Sequence, residues 1–143
     1  MYLDTSIMIK LLVREVDSAF FNAQLAGKPL SSSELMWTEV LSALQHKERT
    51  QQIAAADRDR AWQLFQTWVE SQQIVLHPLN GIVMKKAARV LEQCHPAVPL
   101  RTLDAIHTAA CELSQDFPLC TTDRRMRDAA SVLQIPVFPA SNP

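Results

Sequence analysis

Met1-Tyr2-Leu3-Asp4-Thr5-Ser6-Ile7-Met8-Ile9 is the stretch that decides how this chain is read. A short apolar run reaches a carboxylate, passes two small hydroxyl residues and enters an apolar segment from Ile7 to Val13. That is the pattern of a strand that ends at an acid and turns directly into a helix. In an open parallel sheet, ligands sit in the crevice beyond the carboxyl ends of the strands. Asp4 is therefore a candidate site residue. Asp-Thr-Ser is also ordinary helix-capping chemistry, and this stretch alone supports both readings.

Outward from Asp4 the chain keeps alternating between strand and helix. Asp17 or Ser18 can cap a helix through Phe20, Phe21 and Leu25 that stops at Gly27. Lys28 to Ser32 reads as a short edge-like strand, with Ser32 or Ser33 capping the next helix. Residues 34–48 carry Met36, Trp37, Val40, Leu41 and Leu44 as an apolar stripe at helical spacing. Residues 51–72 repeat the pattern through Ala61, Leu64, Phe65, Trp68 and Val69. Ile74 to His77 is a strand ended by Pro78, and residues 81–94 are helical. Thr102 caps a helix expected to bury Leu103, Ile106, Ala110 and Leu113. A short strand then delivers Asp123, a helix covers 124–133, and Pro136 to Phe138 is a last strand. Such alternation predicts an α/β protein, a parallel sheet covered by helices on both faces. The expectation is one three-layer α/β/α domain over 1–143, with a central parallel sheet of short strands.

Composition narrows the class. Hydrophobic residues at 48% and charged residues at 20% describe a globular chain rather than a disordered one. Two glycines, Gly27 and Gly81, are too few for a glycine-rich phosphate loop. No apolar run approaches the ~20 residues of a membrane span, and no basic-then-apolar signal region opens the chain, so a cytoplasmic location is expected. Cys94, Cys111 and Cys120 are odd in number and widely spaced, which fits buried reduced thiols rather than disulfides or a zinc pair. The net charge of −1 argues at first against a nucleic-acid partner. Setting four clustered acids aside leaves 11 acids against 14 bases, a balance of +3, so charge does not decide the matter.

Four acids lack an easy surface explanation. Asp4 and Asp123 each follow a strand and so share one end of a parallel sheet. Asp104 falls in the first turn of a helix, where the dipole favours an ionised carboxylate. Glu39 flanks an apolar stripe, where an unpaired charge is costly. Carboxylates gathered together raise one another's pKa unless a cation neutralises them. Oxygen donors of this hardness suit magnesium or manganese. Such an ion activates water and stabilises phosphoryl charge, which makes a phosphodiester the natural substrate. Ser6, Thr122 and Thr5 are placed to orient the acids.

Tyr2-Leu3-Asp4-Thr5-Ser6, Ser31-Ser32-Ser33 ahead of Trp37-Thr38-Glu39-Val40, Leu100-Arg101-Thr102-Leu103-Asp104-Ala105-Ile106-His107 and Cys120-Thr121-Thr122-Asp123 together resemble a PIN-domain ribonuclease, specifically the VapC-type toxin of a bacterial toxin–antitoxin pair. The pieces occur in the family's order and cover almost the whole chain. The resemblance implies a PIN-like fold and an acidic site of Asp4, Glu39, Asp104 and Asp123. Within that site, Asp4, Asp104 and Asp123 would hold Mg2+ or Mn2+. It further implies RNA hydrolysis, neutralisation by a cognate VapB-type antitoxin, and a homodimer. Asp4→Asn is expected to abolish cleavage while leaving thermal unfolding nearly intact.

Other residues carry weaker signals. Arg124, Arg125 and Arg127 begin a helix, where cations oppose the dipole, and Arg124 and Arg125 are candidate RNA-phosphate contacts. Trp37 and Trp68 fit core stripes. Trp62, with Phe20 and Phe21, could form a groove for an antitoxin helix. His77 and His107 read as packed histidines, although His107 could instead meet substrate or support Asp104. Two other functions fit the same fold: a non-catalytic RNA- or partner-binding module, and a magnesium-dependent phosphatase with an aspartyl nucleophile at Asp4. The phosphatase would want a second acid at position 6, where Ser6 stands.

Overall fold

A computed structural model describes residues 1–141 of the chain. Strands β1 (Tyr2–Leu3), β2 (Leu30–Ser33), β3 (Ile74–His77), β4 (Leu119–Cys120) and β5 (Val137–Phe138) form one sheet in the order β3-β2-β1-β4-β5. Every pairing is parallel. The helices between them are α1 (Thr5–Leu12), α2 (Ser18–Leu25), α3 (Met36–Arg49), α4 (Ala55–Glu70), α5 (Gly81–Cys94), α6 (Thr102–Ser114) and α7 (Arg124–Val132).

Side chains alternate across a strand, and two residues of β1 suffice to split the core. Tyr2 and Leu119 point into one apolar cluster with Val90 of α5, Ala109 of α6 and Met126 of α7. Leu3 and Cys120 point into the other, with Ile7 of α1, Phe21 of α2, Val40 of α3 and Phe65 of α4. The result is the three-layer α/β/α arrangement expected from the alternation of elements.

Four local expectations are corrected. β2 is not an edge strand: it lies between β3 and β1, and the edges belong to β3 and β5. Ser32 and Ser33 do not cap α3, because both are buried within β2, and Ser32 Oγ donates to the Leu3 carbonyl at 2.8 Å. Leu103 and Leu113 are exposed, whereas residues 105–111 of α6 are buried without a break. A helix packed against the sheet and against both α5 and α7 buries far more than one stripe. Phe21 is fully buried and Trp62 packs on Trp37 and Phe65, so Phe20, Phe21 and Trp62 form no common surface groove.

The thin first strand is held by its neighbours. Ser31 N–H bonds the Met1 carbonyl at 2.9 Å, and Asp4 N–H bonds the Cys120 carbonyl at 3.1 Å. These bonds set Asp4 at the carboxyl end of the sheet.

Candidate active site

Asp4 ends β1 and caps α1. Its Oδ1 accepts from Ile7 N–H at 2.9 Å and from Ser6 Oγ at 2.8 Å, and its Oδ2 accepts from the Thr121 hydroxyl. The side chain is 3% exposed. Burial pushes the Asp4 carboxyl up, and the donors from Thr121, Ile7 and Ser6 act against that rise. Ser6 thus lies in direct hydrogen-bond contact with Asp4. Thr122 does not: the adjacent Thr121 does, and Thr122 instead faces a shallow hollow with Thr5, Ser6 and Lys10. Thr121 follows directly on β4 and is fully buried. The strand's alternation turns its hydroxyl toward Asp4 and leaves Thr122 at the rim.

Both oxygens of Asp4 are committed to donors, which changes the expectation for Asp4→Asn. An amide NH2 at the Oδ2 position must turn the Thr121 hydroxyl from donor to acceptor, so the variant perturbs these buried bonds as well as the chemistry.

Asp123 caps α7 with one oxygen only. Its Oδ1 accepts from Arg125 N–H at 2.8 Å and Met126 N–H at 3.1 Å. The Asp123 N–H donates to Thr121 Oγ1 at 3.0 Å, which ties this acid to the one that Thr121 holds. Asp104 lies in the first turn of α6, where its Oδ2 accepts a long bond from Arg101 N–H at 3.4 Å. The cap at this helix is thus Arg101 with Asp104, not Thr102. Burial, followed by the negative charge of Asp123, raises the pKa of Asp104.

Between these two acids sits Arg125. Its Nε is 3.6 Å from Asp104 Oδ2 and its Nη2 is 3.5 Å from Asp123 Oδ2. Both distances are long for charge-assisted hydrogen bonds, and Nε is buried with no hydrogen-bond partner. Arg127, by contrast, spends its guanidinium on the carbonyls of Thr121 and Ala140. Arg124 is 92% exposed, with its Nε 3.9 Å from Asp128 Oδ2.

Glu39 reaches the site from the first turns of α3, on the opposite face of the sheet from α6. Its Oε2 accepts from Thr5 Oγ1 at 2.5 Å and lies 2.6 Å from His107 Nε2. Burial pushes its carboxyl up, but the His107 and Thr5 bonds outweigh that and hold it below the usual range. Thr5 adjoins Asp4 in the chain, so Glu39 is linked to the same end of the sheet. Glu39 is thus tied by a hydrogen bond to Thr5, the chain neighbour of Asp4, while Thr121 links Asp4 to Asp123 and Arg125 stands between Asp123 and Asp104. His107, which reads as a packed histidine in the sequence, is bonded on both ring nitrogens. The signal was its spacing of three from Asp104, but its partners Tyr2 and Glu39 are remote in the chain.

Among the described residues, no three or more His, Cys, Asp or Glu side chains are drawn close enough to hold one ion. The donor set still fits a hard divalent cation. Asp104 and Asp123 are oxygen donors of like charge, and the pKa of Asp104 is raised in part by its neighbour. The guanidinium between them bonds neither well and leaves a buried N–H without an acceptor. A small dication suits that gap better than a planar guanidinium does.

The family model described as PIN domain matches residues 1–132. The chain is 36% identical to Ribonuclease VapC46 of Mycobacterium tuberculosis, over 98% of this chain and 97% of that protein. It is 29% identical to Ribonuclease VapC35 of the same organism, over 95% and 93% of the two lengths. No helix among the described residues is long and apolar enough to cross a membrane.

Proposed function

The chain belongs to the PIN-domain family, and from that premise we propose that it is a metal-dependent endoribonuclease toxin. It hydrolyses RNA phosphodiester bonds and is neutralised by a cognate antitoxin of the VapB type. The relatives named as ribonucleases match along nearly their whole length, which supports extending that activity to this chain. The observation that carries the reading is the facing pair Asp104 and Asp123 at the sheet's carboxyl end, bridged only loosely by Arg125.

Asp104 and Asp123, together with Asp4, would hold a Mg2+ or Mn2+ ion. When bound, such an ion acidifies water and stabilises charge on a phosphoryl oxygen. The protein's own groups do the rest. Glu39, kept ionised by His107 and Thr5, accepts at Oε1 the proton of the attacking water. The water oxygen bonds to phosphorus, the P–O bond to the leaving nucleotide breaks, and the leaving oxygen takes a proton from solvent. Ser6 and Thr121 keep Asp4 in one rotamer. Arg124, free at the rim, meets RNA phosphate. A homodimer would place two such sites in one particle.

The phosphatase alternative fits less well. An aspartyl nucleophile of that kind works beside a second acid two residues on, whereas Ser6 stands there and donates its hydroxyl to Asp4 Oδ1.

The test is to incubate the purified protein with total RNA, with Mg2+ or Mn2+ and with chelator. Cleavage that needs the ion and is lost in Asp123→Asn supports the proposal. RNA binding without cleavage under every condition would favour a non-catalytic binding module.

A further inference from the structure

His107 is 3% exposed, yet it is not surrounded by apolar side chains alone. Its Nδ1 lies 3.0 Å from the Tyr2 hydroxyl, and its Nε2 lies 2.6 Å from Glu39 Oε2. The Tyr2 and His107 rings meet edge to face, with centroids 5.9 Å apart and planes at 75°. One imidazole thus joins β1, α6 and α3 at the end of the sheet where the acids gather.

We propose that His107 is a positioning residue, which grips Glu39 by Oε2 in a tautomer locked by Tyr2 and so leaves Oε1 open for chemistry. This deepens the ribonuclease reading and rests on it for the purpose of the grip, though not for the grip itself.

The direction of each hydrogen bond follows from what its partners can do. The Tyr2 phenol carries its proton at neutral pH, as any tyrosine does, and can donate it. A neutral imidazole has one donor and one acceptor nitrogen. If Nδ1 carried the proton, Nε2 would turn a lone pair toward an ionised carboxylate oxygen 2.6 Å away. The favourable arrangement is Tyr2 O–H donating to Nδ1 and Nε2–H donating to Glu39 Oε2. Thr5 adds a second donor on the same oxygen. Glu39 Oε1 accepts no hydrogen bond among the described residues and is not sealed from solvent. Two donors on one oxygen and none on the other fix a carboxylate in one rotamer with one working face. A histidine serving only as filler would need neither polar partner.

The experiment combines nitrogen NMR of the His107 ring with steady-state RNA cleavage, using His107→Leu, His107→Gln and Tyr2→Phe. In the wild-type protein without metal, Nε2 should carry the proton and Nδ1 should be an unprotonated acceptor. Tyr2→Phe should mix the two tautomers. A wild-type ring protonated at Nδ1 alone overturns the proposal. In cleavage, His107→Leu should lower kcat by about 10- to 100-fold, the loss expected of a misplaced catalytic group, with KM within about twofold. His107→Gln, whose amide N–H stands near the Nε2 position, should recover most of that loss. Equal losses in the two variants, or a loss carried by KM, would contradict positioning. If His107→Leu does not fold, Tyr2→Phe must show the same kcat-only effect at smaller size, and unchanged kcat there overturns the proposal. A wild-type protein that cleaves no RNA would refute the ribonuclease reading, while the tautomer measurement would still decide whether the grip exists.

Discussion

Asp104 and Asp123 face each other across the Arg125 guanidinium, which lies 3.6 Å from one carboxylate and 3.5 Å from the other. Two acids from different helices are held at close quarters by a cation that fits neither well. Burial and its like-charged neighbour raise the pKa of Asp104, so its ionised form costs stability. A carboxyl raised on folding binds more protons when folded, and stability rises as pH falls through its folded pKa. Asp104→Asn should therefore leave the melting temperature unchanged or slightly higher without metal. Added Mg2+ or Mn2+ should raise the melting temperature of the wild-type protein and have little effect on Asp104→Asn. Thermal unfolding with and without the ion checks both halves.

Glu39 predicts the opposite pH behaviour. Its carboxyl is held below the ordinary range by His107 and Thr5 despite burial. A carboxyl lowered on folding contributes stability that is fully present above its unfolded pKa, about 4.3. That contribution is lost as pH falls through the lower folded value. Glu39→Gln should therefore show a shallower loss of stability on acidification below about pH 4.3 than the wild type. Chemical denaturation at a series of pH values measures the difference.

Two adjacent threonines should behave unlike each other. Thr121 donates to buried Asp4, accepts from Asp123 N–H and is itself buried. Thr121→Val leaves a buried carboxylate oxygen without its donor and should cost about 1–3 kcal/mol. Thr122→Val, at the rim, should stay within about 0.5 kcal/mol of wild type. Equal effects in denaturant melts would show that the wrong threonine has been assigned to Asp4.

The two arginines that open α7 should also separate. Arg124 is almost fully exposed, and its removal should weaken RNA binding and lower the salt dependence by about one phosphate contact. Arg125 lies between Asp104 and Asp123, and Arg125→Ala should tighten divalent-ion binding in calorimetry by removing the competing cation. Weaker ion binding in Arg125→Ala would mean that the guanidinium supports the metal site rather than competing with it.

Much of this arrangement was legible in the chain itself. A strand of two residues, an acid and two hydroxyls placed Asp4 at the start of α1, and apolar stripes marked α3, α4 and α5. The four acids could be singled out because each lacked a simple solvated position. What the chain concealed depended on distant partners or on strand phase. In a strand as short as β4, a shift of one residue decides whether Thr121 or Thr122 meets Asp4. β2 looked like an edge because nothing local shows that β3 will pair along it. Leu103 and Leu113 matched a helical stripe, but neighbours on several sides of α6 bury another set of positions. His107 looked like packing because Tyr2 stands 105 residues away in the chain and Glu39 stands 68 away.

The central claim is that four acids from four segments form one RNA-cleaving site. It is tested most directly by sequencing RNA 5′ ends from cells expressing wild type and Asp104→Asn side by side. Asp104 is the sharper choice over Asp4, because its replacement leaves the buried bonds of Thr121 and Ser6 intact. New ends at defined positions in the wild-type sample, absent with equally abundant and folded Asp104→Asn, are the expected result. The same ends at the same frequency in both samples would contradict the site.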